Sequence, residues 1–168
     1  MSALEFPRPI DERQLTARPI SVEATAEERK ALARRFGLVA IKNLKATVRL
    51  ERDGEAVKAQ GRLSAAIIQS CAISSEDLAV AIEEPLALRF VPEKHPADEE
   101  IELDAADLDE IAYEGHEFDL GEAVAQSLAL AIDPYATGPE AERVRKEAGL
   151  SDEAASGPFA ALAALKKP

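Results

Sequence analysis

The residues with the widest chemical range in this sequence are one cysteine and two histidines, Cys71, His95 and His116. A thiol beside an imidazole is a common nucleophile, but nothing in the sequence places Cys71 near either ring. One cysteine excludes an intrachain disulfide, and one thiol with two imidazoles supplies too few ligands for a structural zinc site. We therefore predict that Cys71 packs as a small apolar residue.

Phosphate-binding and carboxylate-based sites have equally little support. Gly61 stands alone inside a strand-like segment, and neither Gly115 nor Gly121 follows a strand as a phosphate-binding loop requires. Among 32 Asp and Glu residues some carboxylates lie close together by chance, which is weak support for acid–base or metal chemistry. The sequence predicts no catalytic residue, metal ligand, cofactor or small-molecule substrate. A hydrolase or metal-dependent enzyme without a recognised motif stays open as an alternative.

Charge is unevenly distributed along the chain. The 168 residues contain 20 Lys and Arg against 32 Asp and Glu, a formal net charge of −12. Residues 1–62 contain 13 Lys and Arg against 9 Asp and Glu, a net charge of +4, so the remainder carries −16. Much of the acid lies between residues 93 and 117, where Lys94 is the only Lys or Arg. This run is either a solvated loop or an acidic surface for a basic protein partner.

The basic N-terminal third offers a different kind of partner. RNA binding depends on Lys and Arg side chains that neutralise phosphates, so a protein with a net charge of −12 has to confine RNA contact to its basic region. Many basic helices, however, are only solvated surfaces. The candidate RNA contacts are Arg29, Lys30, Arg34, Arg35, Lys42, Lys45, Arg49, Lys58 and Arg62.

Two helices are predicted from their capping signals. The first, over 26–36, follows Thr25 in a Thr-x-x-Glu capping box and stops at Gly37. The second, over 120–131, follows Asp119 with the same spacing to a Glu, and Pro134 ends it. A marginal third helix is predicted over 139–148, before a glycine.

Alternating apolar and polar residues predict strands between these helices. An Asp53-Gly54 pair marks a tight hairpin turn, because glycine adopts the positive φ that such turns need. We therefore predict an α+β fold, in which an antiparallel β meander of at least three strands is packed by the two capped helices. The predicted strands are 18–24, 43–51, 57–68, 78–92 and 111–113, with 4–10 as an edge strand or extended arm.

The chain is predicted to form one domain over residues 1–135, with an acidic loop at about 93–110, and a flexible tail over 136–168. The tail ends in a short amphipathic helix that contains Phe159, Leu162 and Leu165. Such a short helix is unstable alone in water, so it either docks on this domain or folds on a partner.

The location expected from the sequence is the cytoplasm. The longest apolar stretches are far shorter than the ~20 residues that span a bilayer. No apolar segment of the signal-peptide kind follows Met1. We expect no contact with a membrane.

Four short blocks, read in order, carry a resemblance to a known family. The blocks are Gln-Ser-Cys-Ala-Ile-Ser at 69–74, Phe-Asp-Leu-Gly-Glu at 118–122, the helix end and Pro exit at 128–135, and Gly-Pro-Phe to Lys at 157–166. Together they resemble the YceD family of large ribosomal RNA subunit accumulation proteins, over about residues 57–168. The N-terminal part matches only in layout.

One difference from the family pattern limits what the resemblance implies. Many relatives have Cys-x-x-Cys at the central turn and a further Cys or His after the second helix, an arrangement that looks capable of holding a metal. Here the turn is Cys71-Ala72-Ile73-Ser74, and residues 136–142 offer no soft ligand. A metal role is therefore not transferred to this chain.

The resemblance implies a bacterial role in accumulation of large-subunit ribosomal RNA, and hence in ribosome assembly. Combined with the acidic charge, it leads us to expect a non-enzymatic factor that binds a basic ribosomal or assembly protein. Direct binding of precursor ribosomal RNA is the first alternative, and an enzyme is the second. The candidate partner-binding residues are Gln69, Cys71, Asp119, Pro134, Phe159, Leu162 and Leu165.

Overall fold

A computed structural model describes residues 4–93 and 109–149. The strands are β1 (Pro9–Asp11), β2 (Ile20–Glu23), β3 (Ala40–Asp53), β4 (Ala56–Ser70), β5 (Asp77–Pro92), β6 (Asp109–Tyr113) and β7 (Glu117–Asp119). The α-helices are α1 (Ala26–Phe36), α2 (Leu120–Ala131) and α3 (Ala141–Glu147), and a 3₁₀ turn covers Glu12–Gln14. The predicted tail residues Phe159, Leu162 and Leu165, most of the acidic loop, and His95 lie outside the described residues.

The main sheet has the strand order β2-β3-β4-β5-β6. Neighbouring strands are antiparallel from β2 to β5, which confirms the α+β fold with a β meander. Two pairings differ from a simple meander. β6 runs parallel to β5, and β1 pairs with β7 in a separate two-stranded sheet. Both of these pairings join segments that are far apart in the sequence. The local alternation of apolar and polar residues does not predict such contacts.

The β3–β4 hairpin turns one residue later than its sequence signal suggests. Asp53 is paired with Ala56, so the two central turn residues are Gly54 and Glu55. Gly54 has a φ of 61°, whereas Glu55 has no positive φ. A positive φ at the first central position alone is typical of a type II′ turn, which needs glycine at that place.

The long strands have one buried and one solvent-facing side. On β3, Leu44, Ala46, Val48 and Leu50 are buried, and the residues between them are exposed. The buried side joins a single core with Leu32 of α1 and with the α2 stripe Leu120, Val124 and Leu128. Both long helices therefore cover the same side of the sheet, which we call the core face. No helix within the described ranges packs on the opposite side, which we call the outer face.

The caps of α1 match the sequence signals. Thr25 accepts a hydrogen bond from the backbone of Glu28, and Glu28 accepts one from the backbone of Thr25. Gly37 ends the helix in the left-handed region with φ 66°. A cap of this kind stabilises a helix by about 1 kcal/mol.

Only half of the second predicted capping box is formed. Asp119 accepts a hydrogen bond from the backbone of Glu122 at 3.0 Å, as an N-cap should. The Glu122 carboxylate instead binds Arg35, with N–O distances of 2.7 and 2.9 Å. This bond ties α2 to α1, so a long-range ion pair replaces the predicted local one.

Residues after α2 contact the domain beyond the predicted boundary at residue 135. Ala141 of α3 is buried, and Ala136 and Gly138 hydrogen-bond to the turn between β4 and β5. The boundary itself stays a prediction, but residues 136–141 lie on the domain. Within the described residues, no helix is long and apolar enough to span a membrane.

The central strand pair predicts a large effect for one substitution. A Cβ at position 61 would overlap the backbone oxygen of Thr47, because β3 and β4 approach closely there. We expect Gly61→Ala to lower the free energy of unfolding by about 2–4 kcal/mol, measured by urea unfolding with circular dichroism. The exposed neighbour provides the control, since Gln60→Ala should change it by less than about 0.5 kcal/mol. Equal effects of the two variants would contradict this account.

Candidate functional site

The sequence-nominated partner residues Gln69 and Cys71 lie where the β4–β5 turn meets the chain that leaves α2. We call this meeting of residues 71–76 with residues 133–140 the Cys71 junction. Gln69 is buried, and its amide donates to the Asp133 carbonyl at 2.8 Å. The junction therefore fixes the exit of α2 against the end of β4.

Three further hydrogen bonds close the Cys71 junction. The Ala72 amide donates to the Ala136 carbonyl at 3.0 Å, and the amide of Glu140 donates to the Glu76 carboxylate at 3.0 Å. The third runs from the Gly138 amide to the Cys71 sulfur at 3.4 Å. Bonds from both segments meet at the thiol, so Cys71 contributes to the shape of this surface.

Cys71 is only 3% exposed, and its sulfur accepts hydrogen bonds from three backbone amides. Besides Gly138, the donors are Ile73 at 3.5 Å and Ser74 at 3.4 Å. Burial raises the pKa of the thiol, but hydrogen bonds from Ser74, Ile73 and Gly138 outweigh it and lower the pKa to about 7. These bonds favour the thiolate because backbone N–H groups stabilise negative charge.

The one histidine among the described residues, His116, contacts a different part of the protein. The His116 ring lies next to the Glu12 carboxylate at 3.0 Å, beside the β1–β7 pair. Within residues 4–93 and 109–149, no three His, Cys, Asp or Glu side chains are grouped so that they could hold a metal ion.

Asp119 and Pro134 lie at the two ends of α2. The Asp119 carboxylate caps the helix and also accepts from the Arg8 amide at 2.9 Å, so it anchors the N-terminal segment. Pro134 is exposed and follows Asp133, the residue that Gln69 holds. The structure thus gives Asp119 a positioning role and leaves Pro134 on the surface near the Cys71 junction.

The nine candidate RNA contacts do not form one patch. Arg29, Lys30, Arg34 and Lys42 line an open groove of about 440 Å³ between α1 and the start of β3. Lys45, Arg49, Lys58 and Arg62 alternate with the buried residues of β3 and β4 and therefore lie on the outer face.

Arg35, the ninth candidate, already forms ion pairs within the protein. Its guanidinium binds Glu122 and also Glu5, at 3.1 Å. The hydrogen bonds to Glu122 raise the pKa of Arg35 above its ordinary value. Its place between α1, α2 and the N-terminal segment makes it a structural residue.

A third surface lies along β5 and was not found from the sequence. It is an open groove of about 220 Å³ between β5, the last turn of α2 and the start of β6. Glu84, Asp109 and Leu130 line it, and we call it the acidic groove. Leu130 is 82% exposed. A signal existed, because Leu130 lies two residues after Leu128 and so falls off the buried stripe of α2.

The thiolate environment of Cys71 can be tested directly because the chain has one cysteine. We expect its ultraviolet absorbance to report a pKa of about 7, below the ordinary 9.0, with Cys71→Ser as the blank. The unfolded thiol holds its proton to higher pH than the folded one. The free energy of unfolding, relative to Cys71→Ser, should therefore rise between pH 7 and 9 and be lost as pH falls through 7. A thiol that titrates at or above 9.0 would contradict the hydrogen-bonded geometry.

Comparison with protein families gives a match over more than half of the chain. The family described as "Large ribosomal RNA subunit accumulation protein YceD" matches residues 59–166. No match is found among curated proteins or among solved structures. The matched range includes most of β4, the Cys71 junction, α2 and the acidic groove. The chain therefore belongs to the YceD family, whose name refers to accumulation of the large ribosomal RNA subunit.

Proposed function

We propose that this protein is a cytoplasmic, non-enzymatic factor that supports accumulation of large-subunit ribosomal RNA by binding a basic ribosomal or assembly protein. The family supports the role in ribosomal RNA accumulation. The acidic groove supports the choice of a basic protein partner. It combines carboxylates, an exposed apolar side chain and a strand edge that no other described strand pairs.

The strand edge gives the groove its binding mode. In the part of the chain that the structure describes, β6 pairs with β5 from Leu88 onward, whereas β4 pairs with β5 from Asp77. Within the described chain, residues 77–87 of β5 thus have a strand on one side only. Unpaired backbone N–H and C=O groups at such an edge can add an extended peptide as a further strand. Pro85 cannot donate, so it limits this addition to the part of β5 before it, which adjoins the acidic groove at Glu84.

The charges at the edge favour a basic peptide. Glu84 and Asp109 are exposed, and no ion pair neutralises either carboxylate within the described residues. The sequence just before Asp109 adds six acids, Asp98, Glu99, Glu100, Glu102, Asp104 and Asp107. Complementary charge of this kind raises the rate of encounter and selects against acidic partners.

Leu130 supplies the apolar anchor that charge alone lacks. Contact between its 82% exposed side chain and a partner would remove apolar surface from water, which favours association. The Cys71 junction holds the end of α2 from which Leu130 projects, through the bond from Gln69 to Asp133. Gln69 and Cys71 then act by positioning the groove.

The first experiment is recovery of partners by the tagged full-length protein from its own cytosol, with and without RNase, at low and moderate salt. Large-subunit ribosomal or assembly proteins that stay bound after RNase treatment would support the proposal. Recovery that disappears with RNase and falls steeply with salt would instead indicate RNA as the ligand. Cys71→Ser should keep partner binding, because its hydroxyl can accept the backbone hydrogen bonds that position the groove. Loss of binding in a folded variant would favour cysteine-dependent chemistry.

The groove can then be tested with the purified partner. We expect Glu84→Lys with Leu130→Ser to weaken binding at least about tenfold, because the variant reverses a charge and removes the anchor. Glu27→Lys with Val39→Ser is the matched control, since both positions are exposed and the charge change is the same. Affinity is measured by fluorescence anisotropy. Equal losses in the two variants would place the partner elsewhere.

A further inference from the structure

The outer face of the β3–β4 pair carries a regular series of cations. Four successive cross-strand pairs each contain one Lys or Arg, and the cation alternates between the two strands. Successive pairs are about 6.8 Å apart, because a strand rises about 3.4 Å per residue. We call this series the cation ladder. Its pairs are Lys45 with Ser64, Thr47 with Arg62, Arg49 with Gln60, and Glu51 with Lys58.

Most of these cations have no partner among the residues that the structure describes. Lys45, Arg49 and Arg62 are exposed and form no ion pair or side-chain hydrogen bond with any described residue. Of the four cations, only Lys58 forms an ion pair with a described residue, and its Nζ lies 3.3 Å from a carboxylate oxygen of Asp53. An exposed arginine without an intramolecular partner keeps all of its donors available to a ligand.

The surroundings leave the ladder open. On β5, the residues opposite Arg62 and Gln60 are Pro85 and Ala87, whose side chains are short. Glu23 and Glu83 also lie on the outer face, and Glu83 accepts a hydrogen bond from Ser64 at 2.6 Å. These two acids lie at the Lys45 end and Glu51 lies at the Lys58 end, so the centre of the ladder at Arg62 and Arg49 is the most positive part.

The chemistry of the ladder fits a phosphate backbone better than an acidic protein. Its neutral members, Thr47, Gln60 and Ser64, all bear hydrogen-bonding groups, and none of its eight residues is apolar. Protein interfaces usually have an apolar or aromatic centre, which is missing here. Spaced cations between polar side chains are typical of contacts to phosphates. The eight residues also include no aromatic ring, so stacking on bases is not available.

From these observations we infer that the cation ladder binds the backbone of single-stranded RNA, without sequence preference. A row of cations that alternates between two paired strands can follow one extended strand of nucleotides. The inference rests on the proposed role in ribosomal RNA accumulation, but it uses a different surface from the acidic groove. It also differs from a contact through the basic face of α1, which lies on the core-face side of the sheet.

The net charge of −12 makes RNA binding by this protein dependent on close contact and sensitive to salt. Repulsion between RNA and the acidic parts of the protein is screened beyond about 8 Å at physiological salt, so binding depends on close contact at the ladder. With four cations, the logarithm of the binding constant should fall with the logarithm of salt at a slope near −3, roughly a 50-fold loss between 50 and 200 mM.

The test uses the full-length protein and a fluorescein-labelled single-stranded RNA of about 12 nucleotides, within the site sizes known for such surfaces. We expect the triple variant Lys45→Gln, Arg49→Gln, Arg62→Gln to bind at least about 30-fold more weakly in anisotropy titrations, and to reduce the salt slope by about 2. Circular dichroism and thermal melting check its fold. Should the triple variant unfold, Arg62→Gln alone is used, with an expected loss of about threefold.

Two matched variants test whether RNA binding depends on the cation ladder or on positive charge in general. Arg143→Gln, Arg145→Gln, Lys146→Gln on α3 removes the same charge and should leave affinity within about twofold. Arg29→Gln, Lys30→Gln, Arg34→Gln tests the groove beside α1. If this variant, and not the ladder variant, loses RNA binding, the inference is overturned. Competition by a poly-glutamate peptide as strong as that by RNA would overturn it as well.

The same proteins distinguish this inference from the proposed function. The ladder variant should keep its affinity for the basic protein partner, and the Glu84→Lys, Leu130→Ser variant should keep its affinity for RNA. If the ladder variant still binds RNA with unchanged affinity, only the inference about the cation ladder is refuted. If no protein partner is found while RNA binding is intact, only the proposal about the acidic groove is refuted.

Discussion

The β3–β4 hairpin is the constraint on which the rest of the structure depends. Its register continues from the Asp53–Ala56 pair to the Ala40–Ile68 pair, with one irregularity at Lys42. Because side chains alternate along both strands, this register decides which residues enter the core and which face solvent. A slip of one residue would bury Arg49 and expose Val48. The core, the cation ladder and the attachment of β5 therefore all follow from one pairing.

The Cys71 junction extends this constraint from the sheet to α2. Buried Gln69 has lost its hydrogen bonds to water and instead donates one to the Asp133 carbonyl. The backbone amide of Gly138 donates a hydrogen bond to the Cys71 sulfur. An unpaired buried amide would cost about 1–3 kcal/mol, so this contact strongly selects one position of the helix exit. Leu130 lies on the last turn before that exit. The acidic groove consequently inherits its geometry from residues that do not line it.

Local signals in the sequence were enough to predict the elements but not their long-range pairing. Thr25, Gly37 and Asp119 act on neighbouring backbone, so both long helices begin and end where the sequence indicates. Parallel pairing of β6, the ion pair between Arg35 and Glu122, and the Cys71 junction join residues far apart in the chain. Charge counts predicted a basic N-terminal third, but only the fold shows that its cations are divided between two sides of the sheet.

This division bears on how an acidic protein can take part in RNA accumulation. On our proposals, RNA meets a short row of cations and a basic protein meets the edge of β5, two places held by the same sheet. Acidic surroundings oppose any wider contact with RNA, so the RNA contact stays small and salt-sensitive. The carboxylates beside the edge of β5 would screen the positive charge of the bound partner protein. A factor built in this way brings the two together without holding either firmly, and it can leave once contacts between RNA and the partner replace its own.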